Sequence, residues 1–204
     1  MTAYSFIQNS FPTIFDNIKS NIGNKVGSGA DGECYLFNND SVIKCSILYD
    51  CKDSNSLMTD YNNLVEKFNF LINHSPSHIV KLFNYKLVGT NFRDTDFGKQ
   101  EYLLHYYVME KLIPISNDEG KVFHTIISHN DFNKTKIFSK DKLDEMLNNL
   151  SLGLDFDKTK VTLFYNQIQE SLIEHKDLHE RNVMKDINNN FKLIDLDRLS
   201  WRKK

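Results

Sequence analysis

The eight residues His175–Asn182 read H-K-D-L-H-E-R-N, and the five residues Leu193–Asp197 read L-I-D-L-D. Asp177 and Asn182 are five positions apart, and Asp195 follows Asn182 by thirteen. Carboxylate and carboxamide oxygens are ligands that a hard cation such as Mg²⁺ prefers, and a carboxylate can accept or orient a hydroxyl proton. The pattern therefore offers oxygen ligands for a cation close in the chain to a carboxylate that can act on a hydroxyl proton.

This spacing resembles the catalytic loop and the metal-binding D-F-G element of the protein-kinase-like superfamily. The resemblance implies that Asp177 acts on the substrate hydroxyl and that Asn182 and Asp195 ligate Mg²⁺. His175 is expected to be a packed structural residue. At His179, two positions after the first aspartate, protein kinases often carry Lys or Ala, whereas small-molecule kinases of the aminoglycoside and choline type often read D-L-H.

A glycine-rich segment near the N-terminus fits the same resemblance. Residues 27–32 read G-S-G-A-D-G, and their flanks favour a hairpin over the strand-to-helix turn of a dinucleotide-binding unit. Glycines let the backbone close over phosphates without side-chain interference. The implied nucleotide contacts are Val26, Gly27, Gly29, Gly32 and Cys34. An ordinary flexible hairpin is the alternative.

A lysine that ends an apolar strand is the next matching feature. Ser41–Lys44 reads S-V-I-K and resembles the V-A-I-K strand, whose lysine contacts phosphates and pairs with an acid on the next helix. Apolar residues at steps of three and four predict that helix over 56–73. Glu66 is the expected partner of Lys44, with Asp60 as the fallback, and a solvated lysine and glutamate are the alternative.

The segment Tyr106–Leu112 resembles the hinge between the two kinase lobes. The resemblance implies that Met109 lies at the back of the adenine pocket and that the backbone from Glu110 to Leu112 hydrogen-bonds the adenine edge. An edge strand followed by a loop is the plainer interpretation, and it is compatible with a hinge.

The expected fold class is α+β, a two-lobed protein-kinase-like fold. Residues 1–112 form an N-lobe with an antiparallel sheet and one main helix, and residues 113–204 form a truncated, mainly helical C-lobe. The expected helices cover 10–20, 56–73, 140–150 and 159–173. The expected strands cover 25–26, 33–37, 41–46, 78–88 and 101–109, with a polar loop at 89–100 between the last two.

The chain departs from a full protein kinase after its last motif. Nine residues follow Asp195, so no activation segment, A-P-E element or late helices are expected, and Asp197 stands where the family usually has Gly. A minimal kinase of the effector or viral type is therefore implied. We hypothesise that Ile113–Asp157, including Thr125–Lys136, replaces part of the missing substrate platform.

The bulk properties exclude some partners. The net charge of −2 gives no basic field for nucleic acid, and no apolar run approaches the roughly 20 residues of a membrane span. Cys34, Cys45 and Cys51 form no C-x-x-C pair, so a reduced, cytoplasmic location is expected, in a host cell if the protein is viral or an effector.

These patterns predict an ATP- and Mg²⁺-dependent phosphotransferase, a minimal serine/threonine protein kinase that modifies a protein substrate and can need an activating protein partner. A small-molecule kinase acting on a sugar, aminoglycoside or choline-like alcohol is the first alternative. A nucleotide-binding, kinase-like module that works through a partner is the second.

Overall fold

The computed structural model describes residues 5, 8–9, 12–29, 32–49, 54–96, 98–129 and 139–202. The chain forms two compact units, one of Met1–Ser75 with Lys81–Lys111 and one of Pro76–Val80 with Leu112–Lys204. The sequence prediction placed all of 1–112 in one domain. Pro76–Val80 groups with the second unit because Val80 N–H donates to the Leu193 carbonyl at 2.9 Å and Leu193 N–H donates to the His78 carbonyl at 2.8 Å.

The first unit is built on a five-stranded antiparallel sheet in the order β1-β2-β3-β5-β4. Its strands are β1 (Ile22–Gly29), β2 (Gly32–Phe37), β3 (Ser41–Tyr49), β4 (Leu82–Thr95) and β5 (Gly98–Glu110). Its helices are α1 (Pro12–Lys19) and α2 (Ser54–His74). The predicted antiparallel sheet and the long helix after β3 are confirmed.

Alternation along the strands gives this sheet two apolar faces. On one face, Phe15 and Ile18 of α1 share a core with Ile43 and Leu104. On the other face, the buried apolar residues of α2 pack against the sheet, and the ring centroids of Phe68 and Tyr107 are 5.3 Å apart. Burial on both faces explains why the internal strand β5 is apolar over most of its length.

The prediction of a polar loop at 89–100 is wrong, because β4 and β5 continue as a hairpin to the pair Thr95 and Gly98. Much of this extension is exposed, and polar residues are tolerated on a solvated strand face. The Arg93 guanidinium donates to the Gln100 side chain at 2.7 Å and lies 4.0 Å from the Tyr49 ring centroid. These cross-strand contacts replace the apolar alternation that the sequence lacks there.

The second unit is mainly helical, as predicted. Its helices are α3 (Asn117–His129), α4 (Lys140–Leu150) and α5 (Lys158–Glu170). Its short strands are β6 (Ile113–Pro114), β7 (Ile173–His175), β8 (Val183–Lys185), β9 (Phe191–Leu193) and β10 (Leu199–Trp201). The buried core joins all three helices to β8 and β9, with Val122, Leu147, Val161 and Leu193 among its members.

Capping residues set the helix starts in this unit. The Ser139 hydroxyl accepts from Lys142 N–H, as predicted, and Asp157 caps α5 in the same way. The sequence prediction missed α3, although Ser116 and Glu119 form a capping box in which each side chain accepts from the other's backbone N–H. The hypothesised platform lies partly outside the described residues, because 130–138 are not among them.

Two sequence expectations concern the chain's environment. Among the helices of the described residues, none is long and apolar enough to cross a membrane. Cys45 is a buried thiol whose pKa burial raises to about 12. Cys51 lies outside the described residues.

Candidate active site

A short hairpin in the second unit brings Asn182 and Asp195 to the same end of two strands. Strands β8 and β9 pair antiparallel with Val183 opposite Leu193, and the next residue pair is held by a 2.9 Å bond from Ile194 N–H to the Asn182 carbonyl. Asp195 is the following residue. The thirteen-residue spacing in the sequence is therefore the length of a hairpin plus one residue at its open end.

His175 ties the Asp177 loop to this hairpin. It pairs with Leu199 where β7 meets β10. Its Nε2 donates to the Ile194 carbonyl at 2.8 Å, and its Nδ1 accepts from the Asp177 N–H at 3.3 Å. Burial lowers the pKa of His175 and outweighs the opposing effects of the Ile194 carbonyl and of the nearby aspartates. The neutral ring with hydrogen on Nε2 satisfies both contacts.

Asn182 closes the loop that starts at Asp177. It is 7% exposed. Its Nδ2 donates to the Asp177 carbonyl at 2.8 Å, and its backbone N–H donates to the His179 carbonyl at 2.9 Å. The Asp177 side chain itself is 59% exposed, so the loop backbone is held while the carboxylate remains exposed.

Asp195 has left-handed backbone dihedrals, φ 62° and ψ 60°. Among residues other than glycine this region is uncommon, with aspartate and asparagine over-represented, and strained residues cluster at functional sites. The neighbouring backbone supports the conformation: Arg198 N–H donates to the Asp195 carbonyl at 3.1 Å, and Leu196 is fully buried. The structure thus fixes the direction of the chain at the second predicted cation ligand.

The donor set on this loop suits a hard cation. The Asn182 amide nitrogen is engaged by the Asp177 carbonyl, which leaves Oδ1 as the end of the amide that can bind a cation. Among the described residues, no group of three or more His, Cys, Asp and Glu side chains could hold a metal ion. Mg²⁺ that arrives with a nucleotide needs only one or two protein oxygens, because phosphates and waters complete its shell.

In the first unit, Lys44 lies in the middle of the sheet. It is 9% exposed and stands opposite Cys34 in β2 and Tyr107 in β5. Its Nζ lies 5.8 Å from the Tyr107 ring centroid, within the range of a cation–π contact. Burial of an ammonium in an apolar strand requires compensation, so a specific role for this lysine is favoured over a solvated one.

The helix α2 carries both acids considered as partners of Lys44. Glu66 and Asp60 are both exposed, whereas Lys67 on the same helix is buried. The pairing of Lys44 with Glu66 stays a prediction.

The glycine-rich hairpin contains two kinds of glycine. A Cβ on Gly32 would lie 2.3 Å from the Cys45 carbonyl oxygen, whereas a Cβ on Gly29 would have nothing within 4 Å. Close packing against β3 therefore accounts for Gly32. Gly29 and the half-exposed Val26 face open space, and positions 30 and 31 lie outside the described residues. Gly27 pairs with Cys34 across the hairpin.

The predicted hinge is partly engaged in internal hydrogen bonds. Met109 is buried at the end of β5. Glu110 N–H donates to the Lys81 carbonyl at 2.9 Å, and Lys111 N–H donates to the Asp40 carbonyl at 3.1 Å. These two N–H groups serve the fold of the first unit. Leu112, the last predicted hinge contact, belongs to the second unit.

Comparison with known proteins gives matches among solved structures alone. No protein-family model and no curated protein matches the chain. The chain is similar to the ROP18 kinase domain in complex with AMP-PNP and sucrose, with a TM-score of 0.51 at 12% identity over 90% of this chain and 52% of that chain. Structures of WbdD give TM-scores of 0.43 and 0.41 at 14% identity, over 89% and 88% of this chain and 34% and 37% of theirs.

The present chain thus spans about half the length of the ROP18 kinase domain structure. The likeness concerns the fold, and it agrees with the antiparallel sheet of the first unit and the helical second unit derived above. The chain has a protein-kinase-like fold.

Proposed function

We propose that the chain is an ATP- and Mg²⁺-dependent phosphotransferase, a minimal serine/threonine protein kinase that transfers the γ-phosphate to a protein hydroxyl. The observation that carries the proposal is the β8–β9 hairpin, which aligns Asn182 with the residue preceding Asp195 while His175 links the same hairpin to Asp177. The three residues singled out by spacing are therefore joined within one unit by backbone hydrogen bonds of the hairpin and by side-chain hydrogen bonds of His175 and Asn182.

Each side chain has a chemical task in this proposal. The accessible Asp177 carboxylate accepts or orients the proton of the attacking hydroxyl. Asn182 and Asp195 offer oxygens to Mg²⁺, which supplies charge that neutralises the phosphate oxygens. Lys44 contributes positive charge toward the nucleotide phosphates. The ROP18 kinase domain was solved with AMP-PNP, an ATP analogue, and this supports the choice of nucleotide.

A small-molecule kinase is the second candidate, and the D-L-H sequence at 177–179 favours it. The helices α3 and α4, which lie in the segment after the predicted hinge, could contribute to an acceptor site for an alcohol. A third candidate, a nucleotide-binding module that works through a protein partner, requires binding without transfer.

The discriminating experiment incubates purified protein with labelled ATP and Mg²⁺ and offers it a cell lysate and a pool of small metabolites in parallel. Label in protein bands supports the protein kinase, and label confined to metabolites supports the second candidate. Nucleotide binding without any transferred label supports the third. Phosphoamino-acid analysis of labelled bands then tests for serine and threonine.

The Asp177→Ala variant tests the assignment of the catalytic carboxylate. We expect transfer to fall by roughly 10²–10⁴-fold, the usual contribution of a positioned base, while AMP-PNP binding persists. Asp94→Ala is the matched control, because it removes an exposed carboxylate on β4 of the other unit. Full activity in the Asp177 variant would show that another residue serves as the base.

A further inference from the structure

The side-chain amide of Asn182 has two ends of nearly identical shape, and only one of them can bind a cation. Its Nδ2 lies 2.8 Å from the Asp177 carbonyl oxygen. Because a carbonyl can only accept, the amide atom beside it must be the nitrogen. This contact uses one of the two Nδ2 hydrogens.

His179 takes the second hydrogen. Its Nε2 lies 3.1 Å from Asn182 Nδ2. An NH₂ group has two hydrogens and no acceptor capacity, so Nε2 must carry a lone pair and accept. With both hydrogens engaged, the Asn182 amide cannot turn over without losing two hydrogen bonds and placing its oxygen against the Asp177 carbonyl.

The other contacts of His179 do not explain its position. Its Nε2 is 3.9 Å from Asp177 Oδ2, which is too long for a hydrogen bond. Its Nδ1 is buried and has no hydrogen-bond partner among the described residues. The bond from Asn182 is therefore the specific interaction of this ring in the described part of the chain.

We propose that His179 is a positioning residue that fixes the Asn182 amide with Oδ1 directed to the cation of a bound nucleotide. The inference rests on the proposed function. It gives the D-L-H sequence a role in cation binding, separate from the choice of acceptor substrate. His179 itself makes no contact with the reacting atoms in this proposal.

The test measures the Mg²⁺ dependence of thermal stabilisation by AMP-PNP, a readout that needs no turnover. We expect His179→Leu to raise the Mg²⁺ midpoint about tenfold, the lower end of losses when a residue that orients a metal ligand is removed. His179→Gln should remain close to wild type, since Gln Oε1 lies as many bonds from the backbone as His Nε2. His179→Asn, whose acceptor corresponds to Nδ1, should behave like the leucine variant.

A double-mutant cycle separates positioning from a direct effect. If His179 acts through Asn182, adding His179→Leu to Asn182→Ala should cause no further rise in the Mg²⁺ midpoint. Additive effects, or an unchanged midpoint in the leucine variant, would overturn the proposal. Melting without nucleotide controls for folding, and the 39% exposure of the His179 side chain makes substitution tolerable.

Failure of the proposed function gives a different result. In that case wild-type protein itself shows no Mg²⁺-dependent shift with AMP-PNP, and the inference falls with it. If wild type shifts and the three His179 variants match it, the phosphotransferase proposal stands and the positioning role alone is refuted.

Discussion

At the residue scale, Asp195 combines a charge proposed for cation binding with a backbone conformation that costs energy. A left-handed conformation is unfavourable by roughly 1–2 kcal/mol for residues with a Cβ, less for aspartate, and glycine adopts it without that penalty. The hairpin end and the following 3₁₀ turn, Leu196–Arg198, hold the residue in place. Stability and function therefore make opposite demands at this position.

We predict that Asp195→Ala and Asp195→Gly both lose the Mg²⁺-dependent stabilisation by AMP-PNP but differ in intrinsic stability. The glycine variant should be more stable than the alanine variant by about 1 kcal/mol, because only alanine pays for φ 62°. Chemical denaturation without nucleotide measures this difference. Equal stabilities would mean that the backbone relaxes on substitution, and a retained Mg²⁺ effect would assign the cation to other ligands.

The sequence was most informative about residues close together in the chain. The 175–182 loop could be identified from the spacing of its residues, because they are only a few positions apart in the chain. The contact between His179 and Asn182 could not, since a three-residue separation does not specify which ring nitrogen meets which end of an amide. The exposure of Glu66 was equally hidden, because it depends on the rotation of α2 against the sheet.

At the element scale, the glycine-rich hairpin offers a direct comparison between packing and ligand binding. Gly32 lies against the Cys45 carbonyl, whereas Gly29 has open space. We predict that Gly32→Ala destabilises the fold by about 1–3 kcal/mol, the usual cost of overpacking, while Gly29→Ala has little effect on unfolding. Thermal and urea denaturation of the two variants test this. Equal stabilities would show that β2 and β3 can separate at low cost.

The same pair of variants tests the nucleotide role predicted for the hairpin. If the backbone at Gly29 closes over phosphates, Gly29→Ala should weaken AMP-PNP binding although the fold is unaffected. Isothermal titration calorimetry measures this directly. Unchanged affinity would support the alternative interpretation of an ordinary hairpin.

Periodicity and capping predicted α2, α4 and α5, whereas tertiary pairing determined the short strands of the second unit. The helix α2 has a clear apolar stripe, and Ser139 marks the start of α4. By contrast, β7 and β10 are three residues each and exist because they pair with one another. The helix α3 carried a readable signal in Ser116 and Glu119, where a partly buried ion pair with Lys185 adds to the capping box.

At the scale of the whole molecule, buried histidines make stability depend on pH. Burial, followed by the charges of Lys192 and Arg202, lowers the pKa of His78 from 6.5 to about 4. Burial also lowers the pKa of His175. Both residues belong to the second unit, and both are neutral in the folded state near pH 7. Acid should therefore unfold this unit through protons that only the unfolded chain accepts.

We predict that the free energy of unfolding is constant with respect to these groups above pH 6.5 and falls as the pH is lowered from there toward about 4. Within that window the unfolded state binds a proton at position 78 that the folded state does not, so the lost stability from His78 is on the order of 3 kcal/mol. Below about pH 4 the folded state is protonated as well, and this contribution ends. Urea denaturation across pH 4–8 measures the slope.

His78→Phe removes this titration while it retains an aromatic ring at a site that is 6% exposed. Between pH 6.5 and 4 the free energy of unfolding of this variant should fall less steeply than that of wild type. The difference in slope corresponds to at most one proton bound on unfolding, and it does not depend on the stability of the variant at pH 8. His129→Gln, at an exposed position at the end of α3, is the control for replacing a histidine. An unchanged slope in the phenylalanine variant would mean that His78 gains access to water or a hydrogen-bond partner in the folded protein. His175 would then be the remaining buried histidine to account for the acid sensitivity.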